Sequence, residues 1–354
     1  MHPHPLVPHV VLWMMLSVLV GCDLLDPIFG GGDSAPGTEP VFLELPGEDL
    51  FPEGILATEG GDLFVSGFGN GAIVQVTGGA NTRLFKKPGE DGLVQAVGMA
   101  VDEARGRLWV ANFDGQTGQS NLKVFDLASG ALLATLAPEP DGQPHFFNEL
   151  AIDDEGRVYV SDTVVPALWT AGPDLDAVEV FVTDPALANP DPNRPFGLNG
   201  LALTPDGQYL VASIMDRITP GGGRLVRVDV ATQAVTEIEL TGASETVAGF
   251  GGSDGMFFEP GGLLVMVNVT PPGPIAAIVT AAFSEDYTAA ELVGRTPFDD
   301  VYNRPTASAL REGRLWTVNS QLDHLIDDEN GALGTPPDLP FRLVHVPLDE
   351  TLGR

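Results

Sequence analysis

"NELAIDDEGRVYVSD", residues 148–162, reads as one tight β-hairpin. A short apolar strand meets an acidic turn closed by Gly156, and a second strand of β-branched and aromatic residues follows. Glycine at such a turn supplies the positive φ that a tight hairpin demands. The same unit stands at five other places: "PEGILATEGGDLFVSG" (52–67), "VGMAVDEARGRLWVAN" (97–112), "NGLALTPDGQYLVAS" (199–213), "DGMFFEPGGLLVMVN" (254–268) and "PTASALREGRLWTVN" (305–319). Their turns carry Gly60-Gly61, Gly106, Gly207, Gly261-Gly262 and Gly313.

Counted from Glu53, Val97, Asn148, Asn199, Asp254 and Pro305, the copies lie 44, 51, 51, 55 and 51 residues apart. A strand-built period near fifty marks propeller blades of four strands each. Further strands follow the hairpins, such as "AIVQV" (72–76) and "GRLVRVDV" (223–230). No segment keeps a helical period, which excludes an α-solenoid, and a sandwich would not repeat so regularly. The expected fold is all-β, a six-bladed β-propeller over residues 41–354. The head "PVFLEL" (40–45) and the tail "FRLVHVPL" (341–348) are both strand-like. They are expected to share the last blade and close the ring, which removes open sheet edges.

Composition agrees with a turn-rich β fold. The chain has 354 residues, 44% hydrophobic and 19% charged, with 43 Gly and 30 Pro, so it can bury a core and turn often. Its formal charge is −32. Such a field repels nucleic acid, favours solubility and draws in cations.

The first residues read as a targeting segment. "VVLWMMLSVLV" (10–20) has the length of a signal-peptide core and is short for a membrane span. It leads into "LVGC" (19–22), which resembles the bacterial lipobox, where the cysteine is lipidated after cleavage. Cys22 is the sole cysteine, so a disulfide framework is excluded and an anchor accounts for it. The n-region "MHPHPLVPH" departs from the usual pattern in having no Lys or Arg. The expectation is a signal peptide over 1–21 and a lipid-anchored flexible tether over 22–40, "CDLLDPIFGGGDSAPGTEP". The protein would then sit in the bacterial envelope, on the periplasmic or outer face, membrane-bound through Cys22.

The innermost strand of every propeller blade starts at one face of the ring, beside the central channel. The six opening residues therefore meet around the axis, and four of them, Glu53, Asn148, Asn199 and Asp254, carry side-chain oxygens. Carboxylates enclosed at a channel mouth are costly, and a bound cation resolves the cost. An all-oxygen donor set suits one divalent cation, Ca2+ first, with Mg2+, Mn2+ or Zn2+ as the other candidates. Asn-Gly and Asp-Gly are also common turn pairs, but the hairpin turns already have their own glycines at another phase of the repeat. Connections after the second strand return to this face, the longest being "NSQLDHLIDDENGALGTPPDLP" (319–340), of a length for a lid or a surface insertion.

"FPEG", "FNELAIDDEGRVYVSD", "GLNGLALTPDGQYLVA", "SDGM" and "GRLWTVNSQ" together resemble the six-bladed propellers of the senescence-marker-protein/gluconolactonase family, over about residues 50–320. The resemblance implies a cation held by Glu53, Asn199 and Asp254, with Asn148 on the substrate. It further implies that the cation polarises a lactone carbonyl while Asp254 helps to activate water. One position departs. Sugar lactonases of the family carry Arg two residues before the substrate Asn, where this chain has Phe146, a residue suited to an apolar or aromatic ligand.

"GGSDG" (251–255) fits G-x-S-x-G, but a hairpin rather than a helix follows Ser253, against a serine nucleophile. His145 is placed to act as a base or simply to be solvated, and His345, within a strand, reads as structural. Two function classes remain. One is a metal-dependent hydrolase of a lactone or related ester. The other is a propeller that uses the same cation to bind a small molecule or a protein without turnover.

Overall fold

The computed structural model describes residues 41–78, 81–189, 191, 196–216, 221–268, 277–297, 302–325 and 335–347. The expected signal peptide, Cys22 and the tether lie outside the described residues. Strand β1 (Val41–Glu44) comes first. Blade 1 is β2 (Pro52–Ala57), β3 (Leu63–Gly67), β4 (Ile73–Thr77) and β5 (Asn81–Lys86). Blade 2 is β6 (Gln95–Asp102), β7 (Arg107–Asp114), β8 (Gln119–Asp126) and β9 (Leu132–Leu136). Blade 3 is β10 (Phe147–Ile152), β11 (Val158–Asp162), β12 (Ala167–Ala171) and β13 (Val178–Thr183). Blade 4 is β14 (Leu198–Leu203), β15 (Tyr209–Ile214), β16 (Arg224–Asp229) and β17 (Val235–Glu237).

Blade 5 departs from the four-stranded plan. Strand β18 (Glu239–Gly242) and the short helix α1 (Ser244–Ala248) precede β19 (Ser253–Phe258), β20 (Leu264–Asn268), β21 (Ala277–Phe283) and β22 (Ala289–Pro297). Strand β18 pairs in parallel with β22, adding a fifth strand and covering that outer edge. Blade 6 joins β23 (Pro305–Arg311), β24 (Arg314–Asn319) and β25 (Arg342–Pro347) to β1, in the order β1-β25-β24-β23. Head and tail thus share the last blade, as the sequence led one to expect. The innermost strands touch in a closed circuit, β2 to β6, β10, β14, β19, β23 and back to β2.

Strands two and three of each blade hold the packing. Trp109 and Tyr159 on the second strands, with Phe64, Leu63, Leu108 and Ile73, are fully buried, each contributing roughly 1.5–3 kcal/mol of hydrophobic stabilisation.

All six inner strands break register at the same phase. The pairing slips between Pro52 and Ile55, Ala96 and Met99, Phe147 and Leu150, Leu198 and Leu201, Ser253 and Met256, and Pro305 and Ser308. Such bulges bend a strand and re-aim its side chains. The first bulge residues are Glu53, Val97, Asn148, Asn199, Asp254 and Thr306. The sixth opening position is thus Thr306, not Pro305: proline lacks an amide hydrogen but still pairs through its backbone with Asn319, and the slip falls after it. The second bulge residue is small in five blades because the next blade's backbone lies against it. A Cβ on Gly98 or Gly200 would stand 2.2 Å from the Asn148 carbonyl or 2.3 Å from the Asp254 carbonyl.

Candidate functional site

The front face of the ring is the one where the inner strands begin. Here the chain approaching each inner strand is clamped by the residue ending the second strand. Asn112 Oδ1 accepts from Val94 N, Asp162 Oδ1 from Phe146 N, Asn268 Oδ1 from Gly251 N and Asn319 Oδ1 from Asn303 N. These are the polar residues that end the sequence repeats, and their task is to fix the approach to the bulge.

The bulges hold the expected site residues. Glu53, Asn199 and Asp254 occupy the first bulge position of blades 1, 4 and 5 and are 7%, 3% and 6% exposed. Asn148 has the same position in blade 3, and its Nδ2 donates to Thr163 Oγ1 at 3.1 Å. Val97 and Thr306 complete the ring, and Thr306 Oγ1 donates to the Glu53 carbonyl at 2.6 Å.

Three acids at the bulges lie within electrostatic range of one another. The Glu53 carboxyl is raised well above its ordinary pKa, first by burial and then by the charges of Asp254 and Glu149. Glu149 is pushed up to about 8, by burial first and by Asp254 in addition, against one backbone hydrogen bond from Leu150 that lowers it. Glu149 keeps part of its surface open, yet protein surrounds it, as a side chain lining a narrow channel would be. Three acidic groups therefore feel one another in an enclosed space, and a proton or a cation must offset them.

The donor set fits a cation. Asn199 Nδ2 is directed at the Met215 sulfur, 3.2 Å away, and Asn199 Oδ1 is buried with no hydrogen-bond partner. A buried amide oxygen without a partner is expensive unless a ligand completes it. Among the described residues no three His, Cys, Asp or Glu lie close enough to hold an ion by themselves. An ion here would need the amide oxygen as well as the carboxylates, which is the composition of Glu53, Asn199 and Asp254.

Glu149 is the residue that sequence reasoning missed. It takes the second bulge position, which is Gly54, Gly98, Gly200, Gly255 and Ala307 in the other blades. Aligning that column alone would have shown one acid among small residues.

Blade 3 differs in a second way. Asp162, fully buried, accepts at Oδ1 from Phe146 N, Val164 N and Val165 N, and at Oδ2 from Trp169 Nε1. The same Oδ2 lies 2.7 Å from His145 Nδ1, and His145 Nε2 is 3.2 Å from Asp141 Oδ1. His145 is 2% exposed, so it is neither solvated nor free to act as a base. Burial opposes its charge, but the hydrogen bonds and charges of Asp162 and Asp141 outweigh burial and raise its pKa. Beside it Phe146 packs on Phe113, ring centroids 4.5 Å apart, and edge-on to Phe196 at 6.5 Å.

Other candidates are structural. Ser253 Oγ donates to the carbonyls of Gly255 and Val267 inside a strand, so the G-x-S-x-G match is no nucleophile elbow. His345 is buried edge-on to Trp316, 4.8 Å between centroids. On the back face, Leu150, Leu201, Met256 and Phe258, together with Glu259 and the turn after it, line a cavity of about 580 Å³. Its one acid, Glu259, accepts from the amides of Gly261 and Leu263, which closes the hairpin turn.

No family profile matches the chain. Among curated proteins it is 29% identical over 102 residues to the uncharacterised protein YncE of Salmonella typhi, and the match spans 28% of this chain and only 27% of that relative. Solved structures match nearly throughout. A gluconolactonase of Xanthomonas campestris has a TM-score of 0.57 at 17% identity, over 88% of this chain and 90% of its own. A calcium-binding regucalcin of Agrobacterium tumefaciens has a TM-score of 0.53 at 14% identity, over 85% and 92%. A virginiamycin B lyase of Staphylococcus aureus has a TM-score of 0.53 at 11% identity, over 88% and 99%. The chain is therefore a six-bladed β-propeller that resembles the gluconolactonase and regucalcin structures.

Proposed function

We propose that the chain is a divalent-cation-dependent hydrolase of a lactone or related ester, held in the bacterial envelope by lipid on Cys22. The observation that carries the reading is the partnerless Oδ1 of Asn199 in the bulge ring that also holds Glu53 and Asp254. The names of two structural neighbours, a gluconolactonase and a calcium-binding protein, support it. Propellers serve many functions, so the fold adds little by itself.

A cation held by Glu53, Asn199 and Asp254, Ca2+ first, would supply Lewis-acid polarisation of the ester carbonyl. Asp254 accepts the proton of the attacking water at a carboxylate oxygen. Asn148, its amide fixed by Thr163, orients the substrate from blade 3. With a cation at the mouth the raised pKa values of Glu53 and Glu149 would fall, and their ionised carboxylates would then disfavour retention of a carboxylate product.

A second reading, a cation-dependent binding propeller without turnover, is favoured by Phe146, which lies in an aromatic stack where a polar substrate contact would serve hydrolysis. The test is to strip the protein of metal, restore Ca2+, Mn2+ or Zn2+, and screen lactones and esters. Turnover abolished by Asp254→Ala supports the hydrolase. Thermal stabilisation by the ion with no turnover supports the binder. The anchor is tested by Cys22→Ser, which should move the protein from the membrane to the soluble fraction.

A further inference from the structure

The connection leaving β24 does not run outward. Ser320 N and Gln321 N donate to the carbonyls of Arg304 and Asn303, which keeps the chain beside the approach to β23. Arg304 Nε then pairs with Asp323 Oδ2 at 3.4 Å. A single 3-10 turn, Leu322–His324, follows. It is stapled to the returning segment. Gln321 Nε2 donates to the Asp338 carbonyl at 3.0 Å, and Asp338 N donates to Gln321 Oε1 at 2.7 Å. His324 Nδ1 lies 2.9 Å from both the Pro336 carbonyl and Thr335 Oγ1. The turn is thus fixed at its base, independently of residues 326–334, which lie outside the described residues.

The turn presents Leu322 and Leu325, both half-buried. They pack against two apolar clusters at once. One contains Phe51 and Phe341 of blades 1 and 6, and the other contains Phe113 and Phe146 of blades 2 and 3. Phe196, also half-buried, joins the second cluster from blade 4. A loop from blade 6 thereby meets the aromatic residues that stand just ahead of the bulge ring. Leu322, Leu325 and Phe196 thus bring half-buried hydrocarbon to the front face, beside the polar groups of the ring.

We infer that Leu322, Leu325 and Phe196, backed by the Phe113–Phe146 pair, form a wall that receives the apolar part of the substrate. The substrate class is an uncharged lactone or ester with an aliphatic or aromatic substituent. This rests on the hydrolase reading above and names its substrate. The net charge of −32 acts in the same direction, because it disfavours anionic substrates and leaves neutral ones unaffected. Burying a hydrocarbon group against such a wall is favourable in proportion to the area removed from water.

The test measures binding of a ten-carbon aliphatic δ-lactone and of glucono-δ-lactone to the full chain, with and without Ca2+, by ligand-detected NMR and calorimetry. The aliphatic lactone should bind at least about tenfold more tightly than the sugar lactone. The pair Leu322→Ser and Leu325→Ser should remove that preference and leave the Ca2+ affinity unchanged, with a melting temperature lowered by the lost packing but a chain still folded at the assay temperature. Phe196→Ala, on another loop, should weaken the aliphatic lactone in the same way. Equal binding of the two lactones, or a preference that survives all three substitutions, would overturn the wall. Failure to bind Ca2+ sinks the hydrolase reading instead, since the lactone preference is also read without the ion.

Discussion

Asn199 directs its amide nitrogen at the sulfur of Met215, 3.2 Å away, and leaves its buried carbonyl oxygen with no partner. The orientation gives up a hydrogen bond, at a cost of roughly 1–3 kcal/mol if nothing completes it. The proposed cation at the front face would offset that cost and the burial of Glu53, Glu149 and Asp254 together. Four consequences are open to measurement.

The bulge ring depends on close backbone packing between blades. A Cβ on Gly200 would stand 2.3 Å from the Asp254 carbonyl, whereas a Cβ on Gly207, in a hairpin turn with φ +71, would meet nothing within 4 Å. Gly207→Ala should cost about 1–2 kcal/mol for its left-handed conformation and leave Ca2+ binding intact. Gly200→Ala should cost about 1–3 kcal/mol and also displace Asp254, losing most of the Ca2+ affinity. Urea denaturation and calorimetry on the two variants separate these effects.

Asp162 is expected to be the most sensitive polar residue outside the ring. Asp162→Ala leaves the buried amide of Phe146 and the half-buried amides of Val164 and Val165 without an acceptor and His145 without its buried partner, a loss of about 3–5 kcal/mol. Asp162→Asn should cost less. It should also lower the titration midpoint of the His145 imidazole, followed by NMR, because Asp162 is the first of the two groups that raise it.

Stability should depend on pH in a way that Ca2+ removes. Glu149 is raised to about 8 in the folded chain, and Glu53 is raised as well, from an ordinary value of 4.5. Between those limits the folded state binds more protons than the unfolded state, so stability falls as pH rises. Their contribution is complete below the unfolded value and lost as pH passes through the folded one. Melting temperatures of metal-free protein should therefore decline from pH 5 to pH 8, and saturating Ca2+ should flatten the decline. His145, also raised, adds a slope of the same sign that Ca2+ leaves in place.

Glu149→Gln should act oppositely on the empty and the loaded protein. With its carboxyl raised to about 8, Glu149 must take up a proton on folding at neutral pH; Gln removes that cost and should stabilise the metal-free chain by roughly 1–3 kcal/mol, while the lost charge should weaken Ca2+ binding several-fold. A variant that loses both stability and affinity would show that Glu149 has a structural role instead.

Much of this was legible in the sequence. The glycine turns and the fifty-residue spacing gave the blade number, and the strand-like ends gave the ring closure, because a hairpin needs positive φ wherever it stands. The positions of Glu53, Asn148, Asn199 and Asp254 could be read from one repeat phase. What the sequence hid lay in the bulges. A one-residue slip at Pro305 moved the sixth opening position to Thr306, since periodicity cannot show where two strand residues oppose one. Glu149 was hidden for the same reason: it stands next to the aligned column. His145 looked exposed because its partner Asp162 is in the next strand, and the pairing appears only when the hairpin closes.

The most direct test is calorimetric titration of Ca2+ into the chelator-treated chain, beside Asn199→Ala and Glu53→Gln. The account predicts one ion per chain in the parent protein and a loss of about a hundredfold or more in affinity in each variant. Equal Ca2+ binding by parent and variants, or no binding of any divalent ion by the parent, would contradict it.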